Sequence, residues 1–174
     1  MGLTPTGIAV NLAGTRLYVT SYANSTVSVI NTATNTVVAT VSLGPCPNPS
    51  TGLIGCAPTG VVVSPDGARV FVAHVIDSGD PETVLTGAIS VIRTLDNSVI
   101  ATLPIEAFSP DGVAVNPQGD RVYVADRAVD SVVVIDPIGL SVIATIPVGS
   151  NPTSVAVNPA GTKEIGRASC RERV

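Results

Sequence analysis

Tryptophan is absent from this chain of 174 residues, and three tyrosines and two phenylalanines are its only aromatics. A core built on large rings is therefore excluded, and small branched side chains must fill it. Charge is scarce too, at 13% of residues, with a formal net charge of −4 and no basic stripe. A nucleic-acid partner is disfavoured, because neutralising phosphates supplies most of that affinity. A single histidine, His74, without a nucleophile motif offers no Ser-His-Asp arrangement. No glycine-rich loop opens a helix, so a phosphate cradle is missing as well. No apolar run approaches the ~20 residues of a membrane-spanning helix, and the first residues show no charged-then-apolar leader. No cofactor and no metal site are expected.

What remains is valine in quantity, with 45% hydrophobic residues broken by 16 Gly and 14 Pro. Branched residues between frequent Gly and Pro breaks are the composition of many short strands. A repeat organises them. PTGIAVNLAGTRLYV from Pro5, PTGVVVSPDGARVFV from Pro58, PDGVAVNPQGDRVYV from Pro110 and PTSVAVNPAGTK from Pro152 align without gaps. Nine residues after each Pro stands a glycine: Gly14, Gly67, Gly119 and Gly161. A second block follows as TVSVINTATNTVVATV from Thr26, AISVIRTLDNSVIATL from Ala88 and SVVVIDPIGLSVIATI from Ser131. From Pro110 to Pro152 the period is 42 residues.

Each unit reads as four strands. Strand a alternates around Ile8–Val10, strand b centres on Tyr18 or Tyr123, strand c is TVSVI or SVVVI, and strand d is TVVATV or SVIATI. Asn, Asp, Pro and Gly fill the turns, since they preset or tolerate the required dihedrals. Strands of about five residues with short links make antiparallel meanders. A lone meander cannot cover both its faces, so the units must stack, and radial stacking gives a propeller. A β-sandwich would not repeat one register, and solenoid coils are usually shorter. The fold class is therefore all-β, a β-propeller fragment of about three four-stranded antiparallel blades plus a partial fourth. Tyr18, Phe71 and Tyr123 share one register and are read as packing residues between blades.

YVTS from Tyr18, FVAH from Phe71 and YVAD from Tyr123, within the Pro…Gly…Val-Ile frame from Pro5 to Lys163, resemble the YVTN family of β-propeller repeats. Ser21, His74 and Asp126 stand where that signature has Asn. The resemblance implies the same fold and a cell-surface or secreted setting, as in bacterial and archaeal surface proteins. Seven-bladed lactonase-like and redox-associated propellers also resemble this repeat, and their active residues surround the central channel.

Two units are longer than 42 residues, and the extra lengths have places in the meander. PCPNPSTGLIGCA lies between strand d and the next strand a, and VIDSGDPETVLTG from Val75 lies between strands b and c. Both connections emerge on one side of an antiparallel meander, so both should decorate one face. Long loops on a rigid scaffold are the usual place for binding. His74, Asp77, Asp80 and Glu82 mark that face in the second unit, and Asp126 and Asp130 mark it in the third. The segment DSGDPE lacks the spaced ligands and glycine of a calcium loop, so a solvated polar loop competes with a binding role. Cys46 and Cys56 flank the first insertion and could close a disulfide around it, as in an exported protein; two free thiols are the alternative. Asp66 and Asp111 both stand in Pro-Asp-Gly and are read as turn residues. Arg93 is read as a surface charge.

The text changes character at residue 164. EIGRASCRERV holds three Arg, two Glu and a Cys in eleven residues. It resembles the translation of a short-read sequencing adapter, and residues 164–174 are expected to lie outside the native sequence. The native part is then 1–163, with units starting near 5, 58, 110 and 152, and further blades of the same chain are expected beyond it. The function expected is that of a non-enzymatic scaffold, extracellular or on the cell surface, that binds a protein or glycan. The alternative is part of a propeller enzyme whose active residues lie in other blades.

Overall fold

A computed structural model describes residues 4–44, 57–76, 86–105, 109–161 and 164–168 of the chain. The first blade comprises β1 (Pro5–Val10), β2 (Arg16–Ser21), β3 (Thr26–Asn31) and β4 (Thr36–Ser42). The second comprises β5 (Val61–Val63), β6 (Arg69–Ile76), β7 (Thr86–Arg93) and β8 (Ser98–Ile105). The third comprises β9 (Pro110–Val115), β10 (Val122–Asp126), β11 (Ser131–Asp136) and β12 (Ser141–Pro147). Each is a four-stranded antiparallel sheet with its strands in sequence order. A last pair, β13 (Pro152–Val157) and β14 (Glu164–Ala168), begins a fourth unit.

Glu164–Ala168 thus occupies the place of strand b, with Val157 opposite Glu164 and Ala156 opposite Ile165. Ladder pairing is a backbone property open to any segment free of proline. It leaves the change in composition at residue 164 as the sequence shows it.

Short turns hold the meander together, and the repeated polar residues explain how. After strand a, Asn11 Oδ1 accepts from the N–H groups of Thr15 and Arg16 at 2.8 and 2.9 Å. Asn116 Oδ1 repeats this with Asp120 and Arg121 at 3.1 and 3.0 Å. In the second blade Ser64 Oγ takes the N–H of Arg69 at 2.9 Å. An Asn or Ser recurs here because the side chain satisfies backbone donors that the turn leaves unpaired.

Alternation then sends each strand's side chains to two different neighbours. Val70 and Val72 of β6 join Tyr18, Val29 and Val41 of the first blade in one apolar cluster. Phe71 and Ala73, between them in sequence, join Val122, Val124 and Val133 of the third. Tyr123 and Val134 meet Val155 of β13 in the same manner. The three aromatics are buried at these junctions, as their shared register implies. The strands a lie side by side, with β1 next to β5, β5 next to β9 and β9 next to β13. That is the inner wall of a propeller, with core between blades rather than within one sheet.

The outer strands carry a feature that simple alternation does not foresee. Val29 pairs with Ala39 and Ile30 with Val37, so Val38 is an extra residue in β4. Ile100 and Ile143 are skipped identically in β8 and β12. All three skipped side chains are exposed. A bulge at the same place in each rim strand twists the edge and disfavours edge-to-edge pairing.

Candidate functional site

The blades present two unlike faces. On one, the b–c turns of the first and third blades bond to the chain entering or leaving those blades. Tyr22 N–H donates to Thr4 O at 3.0 Å, Leu43 N–H to Ser25 O at 3.0 Å, and Val148 N–H to Asp130 O at 2.8 Å. The b–c and d–a connections therefore share a face, and both long insertions start from it. On the other face the a–b and c–d turns interlock tightly, with Thr94 Oγ1 donating to Gly67 O at 2.7 Å.

Asp77, Asp80 and Glu82 lie outside the described residues, as do Cys46 and Cys56. The other three candidate residues are described, and each has a distinct environment. His74 lies within β6, two residues before its end, and is fully buried rather than presented to solvent. Its Nε2 shares a 2.8 Å hydrogen bond with Ser90 Oγ, which in turn lies 3.0 Å from Thr102 Oγ1. The result is a polar row across β6, β7 and β8, with Nδ1 buried and lacking a hydrogen-bond partner. Burial lowers the imidazole pKa to about 4, against a weaker opposing pull from the Val75 backbone. At neutral pH the ring is uncharged.

Asp126, at the corresponding place in the third blade, is also buried. Its Oδ1 accepts from the N–H groups of Ser109 and Ala128, both at 3.1 Å. The carboxylate ties the incoming chain to the b–c turn. Asp130 is exposed, at positive φ, and its Oδ1 accepts from Asn151 N–H at 2.8 Å. It performs the same task one blade further on. Both carboxylates are engaged by the scaffold, and among the described residues no His, Cys, Asp or Glu gather in a group that could hold a metal ion.

The two Pro-Asp-Gly aspartates part company. Asp66 is a turn residue: it accepts from Ser64 Oγ at 2.5 Å and Ala68 N–H at 3.0 Å, and these bonds hold its carboxyl below the usual range. Asp111 instead lies inside β9, at the junction with the fourth unit. It aligns with Thr6 and Thr59, whose hydroxyls donate across the earlier junctions to Pro58 O at 2.7 Å and Pro110 O at 2.9 Å. A carboxylate cannot donate in that way. Burial raises the Asp111 carboxyl above its ordinary value, with Arg127 pulling it down more weakly.

At the glycine after each of these residues the neighbouring blade stands too close to admit a Cβ. A Cβ on Gly7 would stand 2.4 Å from Thr59 O, and one on Gly60 would stand 2.3 Å from Asp111 O. One on Gly112 would meet Ser154 Cα at 2.6 Å. The pairs Thr-Gly, Thr-Gly and Asp-Gly after Pro5, Pro58 and Pro110 carry the signal of this role in the sequence.

On the tight-turn face, a cleft of about 320 Å³ opens between the second and third blades, lined by Ser64, Asp66, Arg69, Gln118 and Ile138 among others. Arg69 Nη1 spans the junction to donate to Pro137 O at 2.7 Å. Arg93 forms a forked pair with Asp96, at 3.1 and 2.6 Å, on the surface of the β7–β8 turn. These cations brace turns.

Three repeated four-stranded blades and the start of a fourth, stacked through one junction, define the chain as a β-propeller segment. Solved structures place it among known folds. It is similar to Kuenenia stuttgartiensis hydrazine synthase with a TM-score of 0.76 and 19% identity, over 97% of this chain and 43% of that one. The chain therefore spans less than half the length of the structure it matches. At that identity the likeness is one of fold. In all, 897 chains of solved structures match, too many for the fold to single out an activity. No protein-family model matches, and no curated protein matches either.

Proposed function

We propose that this chain is a segment of a YVTN-type propeller that works as a non-enzymatic scaffold, binding a protein or glycan through its looped face. The observation that carries the reading is an asymmetry between faces. All the extra length of the first two units enters connections on one face, while the a–b and c–d turns keep to tight, bonded forms. Variation confined to loops over a rigid support is the arrangement of a recognition surface. The described acidic side chains there, Asp126 and Asp130, hold loops in place and so support a surface of fixed shape. His74 is buried and neutral, which suits packing better than proton transfer at a solvent-open site.

An extracellular or cell-surface location belongs to the same reading. It rests on the resemblance to the YVTN repeats and on Cys46 and Cys56 as a pair; peptide mapping that finds both thiols free in protein made under oxidising conditions would remove the second support.

The test is to replace residues 77–85 by the four-residue turn Arg127–Asp130 of the third blade, and to probe an array of immobilised glycans and extracellular proteins. The parent chain should bind one class, and the shortened variant should bind it at least about tenfold more weakly at unchanged Tm, a loss of about 1.4 kcal/mol. Binding that survives the replacement contradicts the reading. A second reading, part of a propeller enzyme whose active residues lie in blades beyond this chain, rests on the resemblance of the repeat to lactonase-like and redox-associated propellers. Turnover of a lactone or redox substrate by a longer frame, lost on changing its channel-lining residues, would establish that one instead.

A further inference from the structure

The second and third blades depart from the repeat where they meet on the tight-turn face. The a–b turn of the second blade reads SPDG from Ser64, against NLAG from Asn11, NPQG from Asn116 and NPAG from Asn158. The c–d turn of the third reads DPIGLS from Asp136, against NTATNT from Asn31 and RTLDNS from Arg93. Ser64, Asp66, Pro137 and Ile138 are thus peculiar to one junction, and all four line the cleft of about 320 Å³ there. That volume falls at the lower end of small-molecule sites, roughly 300–1,000 Å³.

Arg16, Arg69 and Arg121 share one place in the repeat, yet their side chains part. Arg16 Nη1 and Arg121 Nη1 fold back to donate to the carbonyls just before them, Thr15 O and Asp120 O. Half-buried Arg69 instead reaches across the junction, where Nη1 donates to Pro137 O at 2.7 Å. Among the described residues no acceptor meets its Nε or Nη2. Asp66 is fixed on the opposite wall: its Oδ1 accepts from Ser64 Oγ and Ala68 N–H, and its Oδ2 has no partner among the described residues. Arg69 is near enough to help hold the Asp66 carboxyl in its charged form. The two nevertheless form no ion pair, unlike Arg93 with Asp96 and Arg121 with Asp120. One is tethered to its own a–b turn and the other to the next blade's c–d turn. A donor edge and an acceptor edge of opposite charge are therefore held apart in one cleft, beside Pro65 and Ile138. Ile138 is 75% exposed, an apolar side chain left bare at this cleft.

We propose that this cleft binds a free α-amino acid with an apolar side chain. The carboxylate accepts from the open edge of the Arg69 guanidinium, whose planar fork matches it. The ammonium donates to Asp66 Oδ2, and the side chain rests on Pro65 and Ile138. Charge selects the class. The cleft's own two charges cancel, so a phosphate would meet Asp66 with its excess charge uncompensated, and a plain ammonium would meet Arg69. A peptide end carries only one of the two groups, whereas a free amino acid satisfies both. Both anchors are already held by the protein, which keeps the ordering cost of binding small. The cleft lies on the face opposite the insertions, so the inference is independent of what the looped face binds.

The experiment is saturation-transfer NMR on the full chain with L-valine, L-leucine, L-isoleucine, L-proline and L-phenylalanine. At least one should show saturable transfer. Its amide and its desamino acid, each lacking one of the two charges, should bind at least about tenfold more weakly. Arg69→Gln and Asp66→Asn should each weaken the amino acid by a similar factor. Arg121→Gln, at the same place in the repeat but outside the cleft, should leave its binding unchanged. No transfer from any of these amino acids at about 10 mM, weaker than any useful affinity, overturns the proposal. So does a desamino acid that binds as tightly as its amino acid, because the cleft would then be a plain carboxylate site. Affinity unmoved in both cleft variants overturns it as well. The comparison among ligands uses the parent chain alone, so it decides the matter whether or not a substitution impairs folding.

Discussion

Alanine at position 60 should destabilise the chain by about 3 kcal/mol, the upper end of what overpacking costs, with a clear fall in urea midpoint. The added Cβ would sit 2.3 Å from the carbonyl oxygen of Asp111 and 3.1 Å from the Val113 nitrogen. Both are backbone atoms of β9, so no side chain can swing aside. The second and third blades would have to separate at their inner edges. That motion would strain the bond from Thr59 Oγ1 to Pro110 O and loosen the apolar cluster of Phe71, Val122 and Val124. Gly67→Ala is the informative control. Gly67 has φ +71° with nothing near its added Cβ, so alanine there meets only the left-handed backbone penalty of about 1–2 kcal/mol. Gly60 should therefore be the more costly position, although Gly67 has the more unusual backbone. Equal costs would mean that the junction is looser than its distances state.

The second large effect is one of pH. The His74 imidazole titrates at about 4 in the fold against 6.5 in a solvated chain. Between those values the unfolded chain binds a proton that the folded one refuses, so stability rises with pH. The neutral ring's contribution is complete above about pH 6.5, declines as pH falls, and is lost below about pH 4. A shift of that size corresponds to roughly 3 kcal/mol. The physical cause is burial: a charged ring would lose its water beside Ser90 and Thr102 hydroxyls that cannot neutralise it, and the opposing pull of the Val75 backbone is the weaker. Urea unfolding of the parent and of His74→Gln at pH 7 and pH 4.5 isolates this contribution from the carboxylates that titrate in both. The variant should lose less stability on acidification, and identical pH slopes would refute the assignment.

Much of the architecture was legible in the residues because a propeller repeats itself. Alternation in TVSVI and SVVVI gave strand identity, and the recurrence of Tyr18, Phe71 and Tyr123 at one register marked a junction before any contact was known. The turn asparagines were legible for the same reason, since their chemistry is local. Asp111 was not. It shares Pro-Asp-Gly with Asp66, yet one is followed by a turn and the other by a strand beside a neighbouring blade, and only register separates them. His74 and Asp126 were equally opaque, because a polar residue near a strand end reads as solvent-facing until the surrounding chain is in place. The rim bulges had a visible trace, the paired apolar residues of TVVAT and SVIAT, which strict alternation does not produce.

Successive units pack face to face through one repeated junction, and a double-mutant cycle across it reads out that packing. Phe71→Ala and Val122→Ala lie in different blades but in one apolar cluster. Their joint effect on unfolding free energy should depart from the sum of the single effects by about 0.5–3 kcal/mol, as expected of residues in contact. Phe71→Ala with Val29→Ala, which lie in separate clusters, should add within about 0.5 kcal/mol. Additivity in the first pair, or strong coupling in the second, would contradict the stacking of blades described above.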